Sequence, residues 1–117
     1  MASQSMKNDT VVIDQILYYC ERIEYNISTI DGNVEYFLNN EMIQESCSFA
    51  LIQIGEEVKH LSVDFTSVHN EIEWKKIAGL RDVIAHRYGE IIIDELWKII
   101  TNDVPALKES LLEIRNE

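Results

Sequence analysis

Apolar residues recur three and four positions apart along most of the chain, and this periodicity constrains the fold more than any other feature. Such spacing places the apolar side chains on one face of an α-helix. The 117 residues include four glycines and one proline, so few positions would interrupt a helix. A chain of this length can bury one core and is too short for two. The sequence therefore predicts one all-α domain, an up-and-down bundle of four main helices.

Stop and cap signals set the first helix boundaries. Residues 1–9 are polar and lack periodicity, so we interpret them as a disordered leader and residues 10–117 as the domain. The first helix is predicted from Thr10 to a stop at Asp31-Gly32, followed by a short helical piece or turn. The Asn39-Asn40 pair then offers an N-cap for a long second helix.

The second helix is apolar on two sides. One side continues the core stripe, and the other carries Met42, Phe49 and Ile52. Because a helix with two apolar faces has to be covered twice, we expect this helix to contact both its own bundle and a second subunit. The sequence therefore predicts a homodimer.

The second half of the chain contains two further helices. Residues 62–72 are polar without a strong period and predict a loop, and the third helix is predicted over residues 72–88, ending at Gly89. The last helix contains Pro105, which has no backbone N–H. We therefore expect that helix to be kinked near Asn102, or split there with Asp103 as the cap of its second part.

Cysteine and histidine usage gives little reason to expect a metal site. Cys20 and Cys47 lie on apolar helix faces, and there is no signal peptide or long apolar run, which favours free core thiols in a cytoplasmic protein without membrane segments. The pair Glu57 and His60 has the E-x-x-H spacing of metal-binding bundles. That spacing occurs only once, so we predict no metal and no cofactor.

The charge is strongly acidic but unevenly distributed. The formal net charge of −11 works against non-specific binding of nucleic acid. Residues 1–58 carry a net charge of −8, whereas residues 59–98 carry −1 and contain six of the ten lysines and arginines. A phosphate backbone would have to be attracted by this local cluster of cations.

The cations surround the segment 79–89, in which Arg81 occupies an unusual position. At about 100° per residue, Arg81 falls in the middle of the apolar stripe of the third helix. An arginine on a buried face needs a carboxylate, a phosphate or an aromatic plane as its partner. Residue types and spacing alone favour a structural ion pair over an anion site.

Arg81, His86 and Tyr88 form the pattern R-x-x-x-x-H-x-Y, with the polar Asp82 directly after the arginine. This pattern resembles the HEPN superfamily. Within it, the chain is similar to the HepT-like toxins over about residues 10–115. The segments that carry this similarity are 50–57, 74–81, Trp97 and 103–107.

The resemblance implies a function and partners. It implies a dimeric toxin of a type VII-like toxin-antitoxin system, a metal-independent endoribonuclease that cuts RNA in a cleft lined by the motifs of both subunits. It also implies a cognate nucleotidyltransferase antitoxin that neutralises the toxin by adenylylating Tyr88. The alternative for Tyr88 is an unmodified tyrosine at the rim of the helix end.

The motif residues suit cleavage of RNA without a metal. By similarity to the family, Arg81 stabilises the phosphate and His86 transfers a proton or assists the leaving group. Asp82 either orients the ring of His86 or forms an ordinary i,i+4 pair with it, and Arg87 either widens the basic patch or is a solvated surface residue.

The spacing of Arg81 and His86 raises a geometric problem. On a regular helix the two positions are about 140° apart, so either the helix loosens near its end or the cleft combines groups from two subunits. Gly55, Ala78 and Gly79 would permit the close approach of helices, although ordinary packing within the chain explains Gly55 equally well.

Two other classes of function remain open from the sequence. The first is a non-catalytic HEPN module that binds a nucleotide or holds a partner nucleotidyltransferase. The second is a purely structural helical dimer. Loss of growth arrest on substitution of Arg81 or His86 would support only the toxin.

Overall fold

The computed structural model describes residues 8–87 and 93–117, with only the backbone described for Ala85, His86 and Arg87. Within these ranges the chain is helical and has no strand, which confirms the predicted all-α fold. The elements are α1 (Asp9–Thr29), α2 (Val34–Leu38), α3 (Glu41–Val58), α4 (Val63–Val68), α5 (Trp74–Arg87), α6 (Ile93–Lys98), a π-helical turn (Ile99–Asp103) and α7 (Val104–Arg115).

Helix α3 is the central element, because it packs against both α1 and α5. Helices α1 and α3 are antiparallel. Near one end of the pair, Asn26 Nδ2 donates a hydrogen bond of 2.9 Å to Ser46 Oγ. At the other end, Asp9 accepts hydrogen bonds from Ser62, which follows α3. Helix α2 packs against α3 and α6.

Helix α7 packs antiparallel to α1, and two ion pairs join them. Arg115 Nε lies 2.8 Å from Asp14 Oδ1, and Lys108 Nζ lies 2.6 Å from Glu24 Oε1. The hydrogen bond from Arg115 lowers the pKa of Asp14, and the bond to Glu24 raises the pKa of Lys108. Each of these two shifts favours the charged form of its group.

The core lies between these helices and consists mainly of aliphatic side chains. Cys20 and Cys47 belong to it as free thiols, as predicted. Burial raises the pKa of Cys20 to about 12 and that of Cys47 to about 11, so both remain protonated and act as packing residues. None of the described helices is both long and apolar enough to cross a membrane.

The predicted signals at the first two turns are confirmed. Helix α1 begins at Asp9 and is capped by Asn8, so the prediction of a disordered leader over residues 1–9 is wrong at these two residues. After α1 the chain turns through Asp31 and Gly32, whose φ angles are 53° and 66°. Asn40 caps α3 through its side-chain oxygen, which accepts a hydrogen bond of 3.0 Å from the Ile43 N–H.

The prediction of a loop over residues 62–72 is wrong, because this segment contains α4. Ser62 caps α4: its Oγ accepts a hydrogen bond from the Phe65 N–H at 3.1 Å. Ser62 also donates to both carboxylate oxygens of Asp9, each at 2.8 Å. A contact with a residue 53 positions away therefore stabilises a helix of six residues, which is too short to show a period.

Helix α5 begins at Trp74, two positions after the predicted start, and the predicted end at Gly89 lies outside the described residues. Packing against α4 explains the later start. The ring of Phe65 lies against that of Trp74, and Trp74 Nε1 donates a hydrogen bond of 2.9 Å to the carbonyl of His69.

The last helix is neither capped by Asp103 nor interrupted. Asp103 makes no capping hydrogen bond through its side chain, so the predicted restart at this residue is wrong. Instead the helix widens into the π-helical turn, in which the Val104 N–H donates to the Ile99 carbonyl five residues earlier. Widening accommodates Pro105, whose ring would clash with the carbonyl four residues before it in a regular α-helix.

Candidate active site

The site is built where α5 crosses α3, and Gly55 determines how closely the two helices approach. A Cβ atom at Gly55 would lie 3.1 Å from each of three atoms of α5: the Cβ and backbone N of Arg81 and the carbonyl O of Ile77. Gly55 is therefore required by packing within the chain, which was one of the two explanations that the sequence left open. A Cβ at Gly79 would meet no atom within 4 Å.

Arg81 forms two ion pairs at this crossing. Its Nε lies 3.2 Å from Glu56 Oε2 on α3, and its Nη1 lies 3.3 Å from Asp82 Oδ1 on α5. The same Glu56 oxygen also accepts from Lys59 Nζ at 3.1 Å. The ion pair favoured by residue types is thus present, and two carboxylates from two helices hold one guanidinium.

Glu56 is a site residue that the sequence analysis did not identify as the partner of Arg81. The two residues are 25 positions apart, and no periodicity connects them. The available signal was the glycine directly before Glu56, in the middle of a helix with two apolar faces. A small residue at such a place indicates a close helix crossing, and an adjacent acid can then reach across it.

The helix phase suggested that Arg81 lies at the centre of the buried face of α5. In the structure it lies at the edge of that face. Trp74 and Ile84 on α5 are buried, whereas 38% of the Arg81 side chain is exposed to solvent. Glu56 is 42% exposed. An anion from solution can therefore reach the guanidinium while it stays paired.

The remaining motif residues are described only in part. Helix α5 is helical through Arg87, so no loosening of the backbone occurs between Arg81 and His86. The side chains of His86 and Arg87, and the whole of Tyr88, lie outside the described residues, and their roles stay predictions. The Asp82 carboxylate contacts Arg81, and its predicted relation to His86 also stays a prediction.

A cleft elsewhere in the bundle is less suited to phosphate chemistry. It has a volume of about 240 Å³ and lies between α3, α5 and α7. Its walls are mainly aliphatic, with Leu51, Ile54, Leu80 and Leu107 among the lining residues, and Arg81 is not one of them. The candidate site is therefore the exposed surface around Arg81 and not this cleft.

Comparison with known proteins identifies the family. A sequence profile described as "Ribonuclease HepT-like" matches residues 16–114. A candidate RNase of Caldanaerobacter subterraneus subsp. tengcongensis is 30% identical over 109 residues, which cover 93% of this chain and 96% of that protein. The probable ribonuclease HepT of Thermococcus cleftensis is 36% identical over 81 residues, 69% of this chain and 74% of that protein.

A longer relative contains the same region. A protein of Methanocaldococcus jannaschii, named as a gamma-glutamylcyclotransferase and candidate RNase, is 30% identical over 111 residues. The match covers 95% of this chain, which spans about half (49%) of that relative. No solved structure matches the chain significantly.

These matches extend over most of the chain and include the helices that form the site. They confirm the predicted family, and they confirm the predicted ribonuclease class at the level of the family. The chain belongs to the HepT-like ribonuclease family.

Proposed function

We propose that the protein is a metal-independent endoribonuclease that acts as the toxin of a toxin-antitoxin pair, with Arg81 and His86 as its catalytic residues. The observation that supports this proposal is that Arg81 is both ion-paired and exposed to solvent. Its guanidinium is fixed by Glu56 and Asp82, yet 38% of the side chain is open to solvent. In an acidic protein, such an arginine is suited to meeting a phosphate that arrives from solution.

The proposed reaction is attack of a ribose 2′-hydroxyl on the adjacent phosphorus. The hydroxyl loses its proton, the P–O bond to the 5′ oxygen breaks, and the products are a cyclic phosphate end and a 5′-hydroxyl end. His86 transfers a proton in this exchange, since imidazole accepts and donates protons near neutral pH. Arg81 donates hydrogen bonds to the phosphate oxygens as their charge increases. Asp82 and Arg87 support the site.

A second copy of the chain completes the cleft in this proposal. Positions 81 and 86 are about 140° apart on a regular helix, so one subunit does not direct both at the same phosphate. The face of α3 that was predicted to meet another subunit is open at two residues: Met42 is 80% exposed and Phe49 is 57% exposed. We propose that the homodimer forms on this face and brings the two motifs into one cleft.

Cleavage of single-stranded RNA in the presence of a chelator tests the catalytic proposal. We expect Arg81→Ala and His86→Ala each to lower the cleavage rate by about 10²-fold or more, because losing a donor to the transition state or a general acid or base typically costs that much. Arg22→Ala is a matched control, since Arg22 lies over the ring of Tyr25 on α1. A wild-type rate that requires added metal, or that survives in His86→Ala, would contradict the mechanism.

We further propose that a cognate nucleotidyltransferase antitoxin adenylylates Tyr88. The added phosphodiester carries a negative charge that could pair with Arg81 or Arg87, and the purine adds bulk beside the cleft. Modification would therefore oppose RNA binding by charge and by volume.

Intact-mass measurement after co-expression with the neighbouring nucleotidyltransferase tests this regulation. We expect mass increments of whole AMP units that disappear in Tyr88→Phe and persist in Tyr36→Phe, since Tyr36 is an exposed tyrosine on α2. An unmodified chain isolated from a neutralised complex would show that inhibition proceeds by binding alone.

A non-catalytic module that binds a partner is the second candidate. The net charge of −11 favours it, because such a protein repels RNA and attracts a basic protein surface. In that case the wild-type protein would form a complex with the nucleotidyltransferase, and neither RNA cleavage nor growth arrest would occur.

A further inference from the structure

The crossing of α3 and α5 determines the position of Glu56. It follows Gly55 directly, at a place where the backbones of α3 and α5 are in close contact. The atoms that limit this approach are the backbone N and Cβ of Arg81 and the carbonyl of Ile77, and none of them belongs to a flexible side-chain end. The distance between the start of the Glu56 side chain and that of Arg81 is therefore set by the packing of two helices.

The contacts of Arg81 restrain its guanidinium from two sides. In a planar guanidinium, the Nε–H and the N–H groups of Nη1 lie on opposite sides of the Nε–Cζ bond. Glu56 contacts Nε and Asp82 contacts Nη1, so the two carboxylates oppose rotation of the plane. Among the side chains that the structure describes, none accepts a hydrogen bond from Nη2. The outer fork of the guanidinium is the part that remains for a phosphate.

Lys59 fixes the carboxylate in turn. Its Nζ lies 3.1 Å from the same Glu56 oxygen that binds Arg81. The positive charge of Lys59 offsets the negative charge of Glu56, and the charges of Lys59, Arg81, Glu56 and Asp82 together sum to zero. An unrestrained arginine loses side-chain entropy when it binds a phosphate. An arginine that is already held by carboxylates loses less side-chain entropy.

We propose that Glu56 is a positioning residue that holds Arg81 with its outer fork toward the substrate phosphate. This inference rests on the proposed function of Arg81 and adds a residue to that site. The competing role is repulsive: a carboxylate 3.2 Å from the phosphate-binding group could occupy the place of the substrate and lower the affinity for RNA. The two roles predict opposite effects when Glu56 is removed.

Kinetics of Glu56 variants distinguish the two roles. We expect Glu56→Ala to lower kcat by about 10- to 100-fold with little change in KM, since the cost falls on transition-state stabilisation. Glu56→Gln keeps the size of the side chain but removes the charge of the ion pair with Nε, and it should lose an intermediate amount. Lysine has no guanidinium for Glu56 to orient. In an Arg81→Lys background, Glu56→Ala should therefore have little further effect on kcat. Glu45→Ala, at an exposed site on α3, is the control.

Faster cleavage or tighter RNA binding by Glu56→Ala would overturn the inference and support the repulsive role. Equal loss in Glu56→Ala and in the control Glu45→Ala would also overturn it, because the loss would then not depend on the contact with Arg81. The thermal midpoints of these variants are measured in parallel, so that a loss of fold is separated from a loss of positioning.

A measurement on the arginine itself is independent of activity. The Nε–H signal of Arg81, assigned by its absence in Arg81→Lys, should exchange with water more slowly than that of Arg22. Glu56→Ala should accelerate this exchange, while the Nε–H of Arg115, which donates to Asp14 at 2.8 Å, serves as the unchanged internal reference.

The outcomes separate the two proposals. A slow Arg81 signal that depends on Glu56, in a wild-type protein that cuts no RNA, supports the holding of Arg81 by Glu56 and overturns the ribonuclease mechanism. A fast Arg81 signal in the wild type, or one that Glu56→Ala does not change, overturns the inference whatever the activity.

Discussion

Gly55 is the residue whose substitution should affect both the fold and the site. Any Cβ there would lie 3.1 Å from backbone atoms of α5, so the two helices would have to move apart. We expect Gly55→Ala to lower the free energy of unfolding by about 1–3 kcal/mol, as overpacking does elsewhere. It should also weaken the contact between Glu56 and Arg81. Chemical denaturation gives the first effect, and the exchange rate of the Arg81 Nε–H gives the second.

Gly79→Ala is the matched control for this prediction. Gly79 lies within α5, and a Cβ there would have no atom within 4 Å. Alanine in the interior of a helix is more stable than glycine by about 0.5–1 kcal/mol, so this variant should be stabilised. If both variants lost stability equally, the close crossing at Gly55 would not be the cause.

At the level of single residues, the sequence predicted part of the site. Helix phase indicated that Arg81 needs a partner, and the ion pair is present. The partner could not be identified, because the contact between Glu56 and Arg81 depends on where α3 and α5 cross. That crossing is a property of tertiary packing, and the periodicity of either helix alone does not contain it.

Helix α4 shows how a contact distant in sequence can stabilise a short element. Asp9 accepts two hydrogen bonds from Ser62, the residue that caps α4. We expect Asp9→Ala to lower the free energy of unfolding by about 1–2 kcal/mol, the usual range for a lost cap or a charged hydrogen bond. Urea denaturation measures this loss.

A double-mutant cycle provides the control. If Asp9 and Ser62 act through each other, Asp9→Ala combined with Ser62→Ala should cost less than the sum of the two single substitutions. Additive losses would show that the two residues stabilise the protein independently. Asp64→Ala removes an exposed carboxylate from the first turn of α4 and should have a smaller effect.

The long helices were predictable because each buries a stripe over several turns and is bounded by strong signals, such as Asp31-Gly32 and Asn40. Two features were not. Helix α4 is shorter than two turns, so its pattern is indistinguishable from a loop. The proline in the last helix indicated a break, but whether a helix kinks, splits or widens depends on the packing of α6 and α7 against the core.

At the scale of the whole molecule, the exposed apolar side chains on α3, Met42 and Phe49, predict self-association. We expect sedimentation velocity to show a dimer at micromolar concentration. Phe49→Asp should raise the dissociation constant by about 100-fold or more and abolish RNA cleavage, because it places a charge in the covered surface. Val68→Asp, at an exposed position on α4, should leave the dimer intact.

Salt gives this prediction a second test. Two chains of net charge −11 repel each other, so added salt should strengthen the dimer by screening. Binding of RNA through Arg81 should instead weaken as salt rises, because the release of counterions into a more concentrated salt solution is less favourable. A monomer at all salt concentrations would contradict the shared cleft.

The π-helical turn also bears on how the length of this chain can vary. It holds one more residue than an α-helical turn between the same neighbours, and that residue makes room for Pro105. A homologue with a residue other than proline at position 105 does not need the additional residue in this turn. Sequence alignments should therefore place a one-residue gap within residues 99–103, the point where an insertion or deletion leaves the buried Leu111 of α7 in register with the core.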